Sequence, residues 1–167
     1  MNVLVVGGAG YLGGALTSIL LRRGCTVKVY DNLLYEDAYR NPVEFCLGDV
    51  RDEKRLLANL EWADAVVWLA AIVGDAACAL RPDLAVSVND KAVKTLANSF
   101  DRRIVFTSTS SVYGAQEELV DENGPVEPLS LYAATKLGAE KYLEDRDAII
   151  FRLATLFGLS DTYCRLR

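Results

Sequence analysis

The chain has 167 residues, enough for one domain, and its 51% hydrophobic and 25% charged residues match a folded soluble protein. A net charge of −5 argues against a nucleic-acid binder, which carries a basic face; an anionic ligand would have to be held by local backbone dipoles. Histidine, the commonest proton-transfer residue, is absent, so any acid–base chemistry falls to another side chain.

Four cysteines (Cys25, Cys46, Cys78, Cys164) form no C-x-x-C and have no histidine beside them. That spacing offers neither a zinc site nor a disulfide framework. They read as reduced, small apolar fillers in a cytoplasmic protein that holds no metal.

The first predicted strand, residues 2–6, leads into "GGAGYLGG" and a predicted helix over 11–23. The uncharged run 3–21 is long enough to imitate a membrane span. Five glycines interrupt it and no basic residue precedes it, so it reads as strand, glycine turn and helix. Gly8-x-Gly10-x-x-Gly13 overlaps Gly7-x-x-Gly10-x-x-Gly13, placed between a strand and a helix as a dinucleotide-binding turn requires. Gly7 permits the tight turn, Gly10 admits a pyrophosphate to the backbone, and Gly13 lets helix and strand pack closely. The helix then offers its free N–H groups to the phosphates.

A second strand, 26–30, ends at Asp31, 18 residues after Gly13. This is close to the ~20-residue offset at which a carboxylate accepts from an adenosine ribose. The same charge repels a 2′-phosphate, which favours NAD over NADP. A third strand, 43–47, is followed by Asp49, placed near the adenine edge, and by a helix over 52–59. Strand 65–70, helix 84–99 and strand 103–108 come next. A loop at 116–128, rich in acids, Gly and Pro, precedes a helix over 131–145 and a sixth strand at 148–153. Near-continuous apolar, β-branched strands alternating with helices predict a doubly wound α/β fold: about six parallel strands with helices on both faces.

The catalytic signal lies at the C-terminal end of strand 103–108, where ligands of open α/β sheets bind. "FTSTSSVYG" gathers hydroxyls there, and "YAATK" places Tyr132 and Lys136 one helical turn apart on a shared face. Free tyrosine titrates near 10, and lowering it by ~2 units requires ~2.7 kcal/mol of preferential phenolate stabilisation. A nearby ammonium and a cationic nicotinamide supply such stabilisation by Coulomb attraction in a partly desolvated site.

In the order "GGAGYLG", "YDNL", "GDV", "LAA", "STSSVYG", "YAATK" and "FRLATLFG", the whole chain resembles the extended short-chain dehydrogenase/reductase family, NAD-dependent epimerases and dehydratases of nucleotide sugars. The resemblance implies a Rossmann fold and makes Tyr132 the acid/base, Lys136 its partner and holder of the nicotinamide ribose, and Thr109 the hydroxyl on the reacting sugar oxygen. Ser108 is a supporting neighbour. Cofactor contacts are implied for Gly7, Gly10, Tyr11, Leu12, Gly13, Asp31, Asn32, Asp49, Val50, Leu69, Ala70, Ala71, Asn89, Tyr132 and Lys136. Residues 72–78 fall where the family meets its substrate, with Asp75 as a candidate contact.

Dehydratases of the family carry an Asp-Glu pair after the catalytic threonine; here Ser110 and Ser111 follow Thr109. An epimerase or simple oxidoreductase acting on a nucleotide sugar, UDP-linked by resemblance, is therefore expected. Family members are longer, so the expectation is one NAD-binding domain over 1–167 without the C-terminal substrate-binding part. An NAD-binding module without turnover, or a structural domain keeping the fold, are the alternatives. Apolar surface left open around the sixth strand and the mouth of the site predicts self-association. Membrane and nucleic-acid partners are not expected.

Overall fold

The computed structural model describes residues 1–158; Cys164 lies outside them. In chain order the elements are β1 (Asn2–Val6), α1 (Tyr11–Arg22), β2 (Thr26–Asp31), β3 (Glu44–Leu47), α2 (Glu53–Trp62), β4 (Ala65–Trp68), α3 (Asp75–Leu80), α4 (Pro82–Val86), α5 (Ala92–Ser99), β5 (Arg103–Thr109), α6 (Leu131–Leu143) and β6 (Ala148–Leu153). A π-helical segment, Ser87–Lys91, joins α4 to α5, and a 3-10 turn, Ser110–Tyr113, follows β5. The strands form one sheet in the order β3-β2-β1-β4-β5-β6, every pair parallel. This is the Rossmann order, and its switch point falls between β1 and β4.

The strand sequences explain this burial. Val3, Leu4, Val5 and Val6 are all buried because helices cover both sides of the central strand. One sheet face packs Leu4, Val6, Trp68, Ile104 and Phe106 against Leu56, Leu60, Leu96 and Leu143. The other packs Val3, Val5, Val27, Val29 and Val67 against Leu16 and Leu20 of α1. Burying each such side chain contributes about 1.5–3 kcal/mol. Beyond α1 that second face is open at the sheet edge, where Ile149 and Phe151 of β6 are 42% and 49% exposed. Exposed apolar surface at the sixth strand is therefore present, as expected.

Caps set the helix starts. Asp52 accepts from the Arg55 N–H at 3.1 Å, and Ser130 accepts from the Ala133 N–H at 3.2 Å. Each such cap contributes about 1 kcal/mol. Gly10 caps α1 without any side-chain bond, and the first turn of α1 holds no acidic residue, so its N–H groups are left for another acceptor.

Two local expectations change. The helix predicted over 84–99 is broken: α4 begins at Pro82, suited to a first helical turn, and a π segment around Asn89 follows before α5. The segment after β4 also contains α3, entered through Gly74 at φ 92°, a left-handed turn that glycine tolerates. The loop at 116–128 has neither helix nor strand.

Candidate active site

A cavity of about 740 Å³ opens above the C-terminal ends of the strands, at the switch point. Its nucleotide end is built from the turn after β1 and from Asp31 at the end of β2. Gly7 has φ 81°, and a Cβ there would lie 2.4 Å from the Ala70 N. A Cβ on Gly13 would lie 2.5 Å from Gly8 Cα. Both glycines are thus required by the protein itself. Gly10 is different. Its backbone is extended (φ −77°, ψ 179°), and a Cβ would meet only the Gly7 carbonyl oxygen at 3.7 Å. Neither conformation nor packing demands glycine there; the space it leaves belongs to the cavity.

Asp31 fastens this end. Its Oδ2 accepts from the Ala9 N–H at 3.0 Å and its Oδ1 from the Leu33 N–H at 2.8 Å. Each carboxylate oxygen keeps a lone pair for a ligand hydroxyl. The structure also brings Tyr11, Leu12, Asn32, Val50, Leu69, Ala70 and Ala71 to the wall.

Asp49 and Asn89, expected near the cofactor, do not line the cavity. Asp49 accepts from Arg51 at 2.9 and 2.7 Å, which holds its carboxyl down to about 2, chiefly through those hydrogen bonds. Arg51, unforeseen from the sequence, lines the wall in its place. Asn89 is fully buried: its Oδ1 accepts from Ile72 N–H at 2.8 Å, and its Nδ2 donates to Ile72 O at 3.0 Å and Thr135 Oγ1 at 3.3 Å. It ties the segment after β4 to α6. Asp75 opens α3 and is exposed, outside the lining.

At the other end, Thr107, Ser108, Thr109, Ser110, Ser111, Tyr132 and Lys136 line the cavity together. Thr109 Oγ1 donates to Ser111 Oγ at 3.1 Å and accepts from Ser111 N–H at 3.2 Å, which holds its hydroxyl at the start of the 3-10 turn. Tyr132 is half-buried in the first turn of α6. Lys136 is 2% exposed, its Nζ 4.1 Å from the centre of the Phe106 ring.

The electrostatics differ from expectation. Burial pushes the Tyr132 phenol up, Cys78 and Asp75 add to this, and a hydrogen bond with Thr109 opposes it. Burial also brings the Lys136 ammonium down from 10.5 to about 7, with Glu140 opposing. Removal from water penalises whichever form of each group is charged, so the protein's own groups do not lower the phenol.

Behind these residues lies a polar cluster that sequence reasoning missed. The Ser108 hydroxyl donates to Glu140 Oε1. Arg152 of β6 donates to the same carboxylate through Nε at 3.2 Å and Nη2 at 2.7 Å. Its Nη1 reaches the Tyr113 hydroxyl at 3.0 Å and the Glu122 carbonyl at 3.1 Å. The one signal available beforehand was spacing: Glu140 lies one helical turn beyond Lys136 in "KLGAE".

A Rossmann sheet with an uncapped helix at its glycine turn, and a Tyr/Lys pair facing strand-end hydroxyls, defines a dinucleotide-binding fold of the short-chain dehydrogenase type. Comparison with known proteins agrees. The model of the NAD dependent epimerase/dehydratase family matches residues 3–165, and the chain belongs to that family. UDP-glucose 4-epimerase of Halalkalibacterium halodurans is 33% identical over 84% of this chain and 45% of its own length. A 4-epimerase of N-acetyl-alpha-D-glucosaminyl-diphospho-ditrans,octacis-undecaprenol from Escherichia coli is 30% identical over 94% of this chain and 49% of its own. Among solved structures, the NAD complex of Thermus thermophilus UDP-glucose 4-epimerase superposes with a TM-score of 0.85 at 31% identity, covering 91% of this chain and 54% of that one. The chain spans about half the length of the curated relatives it matches.

Proposed function

We propose that this chain is the NAD-binding Rossmann domain of a nucleotide-sugar 4-epimerase, or of a closely related oxidoreductase, with Thr109, Tyr132 and Lys136 as its catalytic residues. The observation that carries the reading is the space at Gly10: a glycine that neither backbone nor neighbours require, at the uncapped start of α1. A pyrophosphate seated there accepts from the first-turn N–H groups and meets the positive end of the helix. Asp31 takes the adenosine ribose hydroxyls, and Val50, Leu69, Ala70 and Ala71 form the walls. Lys136 holds the nicotinamide ribose.

When bound, NAD supplies the hydride acceptor and donor. Tyr132 Oη takes the proton of the sugar hydroxyl being oxidised and returns it when the ketone is reduced on its other face. Thr109 Oγ1 hydrogen-bonds that sugar oxygen and keeps it in line with the phenol. Since burial raises the phenol, Lys136 must act together with the positive charge of the oxidised nicotinamide to favour the phenolate. Ser110 and Ser111 place no carboxylic acid beside Thr109, which supports epimerisation over elimination. A UDP-sugar is favoured by the named activity of several relatives. Exposed Ile149, Phe151 and Phe157 support self-association.

Two measurements test the reading. Calorimetric titration with NAD should give one saturable site. Incubation with UDP-glucose and NAD, followed by chromatography, should yield UDP-galactose, and the Tyr132→Phe protein should yield none. Binding without conversion leaves a cofactor-binding module; absence of binding at millimolar NAD rejects the proposal.

A further inference from the structure

The last motif of the chain, "FRLATLFG", ends in a glycine that the proposed reaction does not use. Gly158 has φ 144°, in the region that glycine adopts readily and other residues rarely do. Its carbonyl oxygen accepts from the Tyr11 hydroxyl at 2.9 Å, a bond between residues 147 apart. A Cβ at position 158 would lie 3.3 Å from that hydroxyl oxygen. Conformation and close approach both call for glycine where the chain after β6 meets α1.

The topology decides what this bond spans. In the sheet, β6 is separated from β1 by β5 and β4. With neighbouring strands about 4.8 Å apart, β6 stands about 14 Å from β1. Tyr11 opens α1 at the glycine turn after β1. Residues 154–158 have neither helix nor strand, and with the Tyr11 ring they bridge that gap over the ends of β5 and β4. Leu153, Ala154, Thr155 and Leu156 line the cavity on the way, as Tyr11 does at the far end.

We propose that Tyr11 is a positioning residue: its hydroxyl ties the segment 154–158 across the mouth of the cavity as a strap, and the strap is the wall that retains the dinucleotide. The occupant of the cavity rests on the function proposed above; the tie itself does not. A phenol carries one O–H donor, and here the Gly158 carbonyl takes it. The Tyr11 side chain therefore has no donor left for a phosphate at Gly10, and it acts on the cofactor through the strap. Ala154, Thr155, Leu156 and Phe157 are exposed, so little buried surface holds the strap in place without this bond.

Two variants break the bond from opposite ends. Tyr11→Phe removes only the oxygen; Gly158→Ala keeps Tyr11 and sets a methyl against it in a backbone conformation that alanine avoids. Backbone 15N relaxation of the full chain without cofactor reads the strap. Stopped-flow displacement of bound NADH by excess NAD, followed by NADH fluorescence, reads its effect. In both variants the order parameters of residues 154–157 should fall below about 0.6, the flexible range, while those of residues 12–14 stay near about 0.85. NADH should leave about 2–12-fold faster, the size of one net hydrogen bond, with its association rate unchanged. Unchanged order at 154–157 overturns the proposal even if release quickens, because a Tyr11 that bonds a phosphate directly gives that pattern. Order lost at residues 12–14 as well marks general loosening of the turn and also overturns it, as does unaltered release from a loosened strap. A wild-type chain that binds neither NADH nor NAD rejects the function proposed above, and the relaxation measurement still decides whether Tyr11 ties the strap.

Discussion

The two ends of the cavity are built on different principles. At the nucleotide end the backbone does the work: Gly7 and Gly13 let chain segments approach within a Cβ radius, Gly10 leaves space, and a helix start presents N–H groups. At the end proposed to be catalytic side chains do it: Ser111 bonds Thr109, the Phe106 ring lies against Lys136, and Glu140 pairs with Ser108 and Arg152 behind them. At Gly7 and Gly13 the first end has no room for an added carbon atom, and its Asp31 carboxylate is tied to backbone N–H groups. The second holds two cations and a carboxylate largely out of water, so its behaviour depends on protonation. One end is fixed by sterics, the other by electrostatics.

The difference shows most strongly in turnover. Tyr132→Phe keeps ring volume and removes only the proton-carrying oxygen, so conversion of a UDP-sugar should fall by about 10²–10⁴-fold, the range for a lost general acid/base. NAD affinity, read by calorimetry, should stay nearly constant. A parallel loss of NAD binding would place Tyr132 in the nucleotide machinery and erase the distinction between the ends.

At the nucleotide end a methyl group should suffice. Gly7→Ala combines a left-handed φ with a 2.4 Å approach to the Ala70 N, and should lower stability by about 1–3 kcal/mol or prevent folding. Denaturant unfolding checks this; wild-type stability would mean that the turn can relax.

Lys136→Met should act in opposite directions on two readouts. It removes a charged hydrogen-bond donor worth about 1.5–3 kcal/mol, so NAD should bind roughly 10–100-fold more weakly. The protein without cofactor should melt at a higher temperature, because a buried ammonium gives way to an apolar chain of similar length. A lower melting temperature would show that the contact with Phe106 outweighs the desolvation.

A further effect is in pH. Lys136 titrates at about 7 in the folded chain and near 10.5 when unfolded. Between those values the unfolded chain binds more protons, so this group's contribution makes stability rise with pH from about 7 towards 10.5. The contribution is lost as pH falls through the folded value. Comparing the slope of unfolding free energy against pH in wild type and Lys136→Met isolates it, and equal slopes would contradict the buried ammonium.

How much was legible beforehand follows the same division. Parallel strands buried on both faces read directly from runs such as "VLVV", and the glycine turn from its spacing, because both are local. Tyr132, Lys136 and Thr109 were legible as a motif, and the structure brings them to one wall. What holds them was not legible. Ser108 and Glu140 are 32 residues apart, and Asn89 and Thr135 are 46 apart; such contacts come from topology rather than pattern. Asn89 was expected at the cofactor, but the π segment turns it inward to Ile72 and Thr135. The protein's own groups do not supply the phenol lowering that was expected from ammonium and nicotinamide together. Sequence spacing shows that an ammonium is near; it does not show that both groups leave water.

Gly10→Ala, studied by thermal unfolding and NAD calorimetry on one preparation, tests the central claim most directly. The account predicts an unchanged melting temperature, since the new methyl meets only the Gly7 carbonyl oxygen at 3.7 Å, with NAD binding weakened at least tenfold by intrusion on the pyrophosphate. Undiminished NAD affinity in a normally folded Gly10→Ala protein would contradict it.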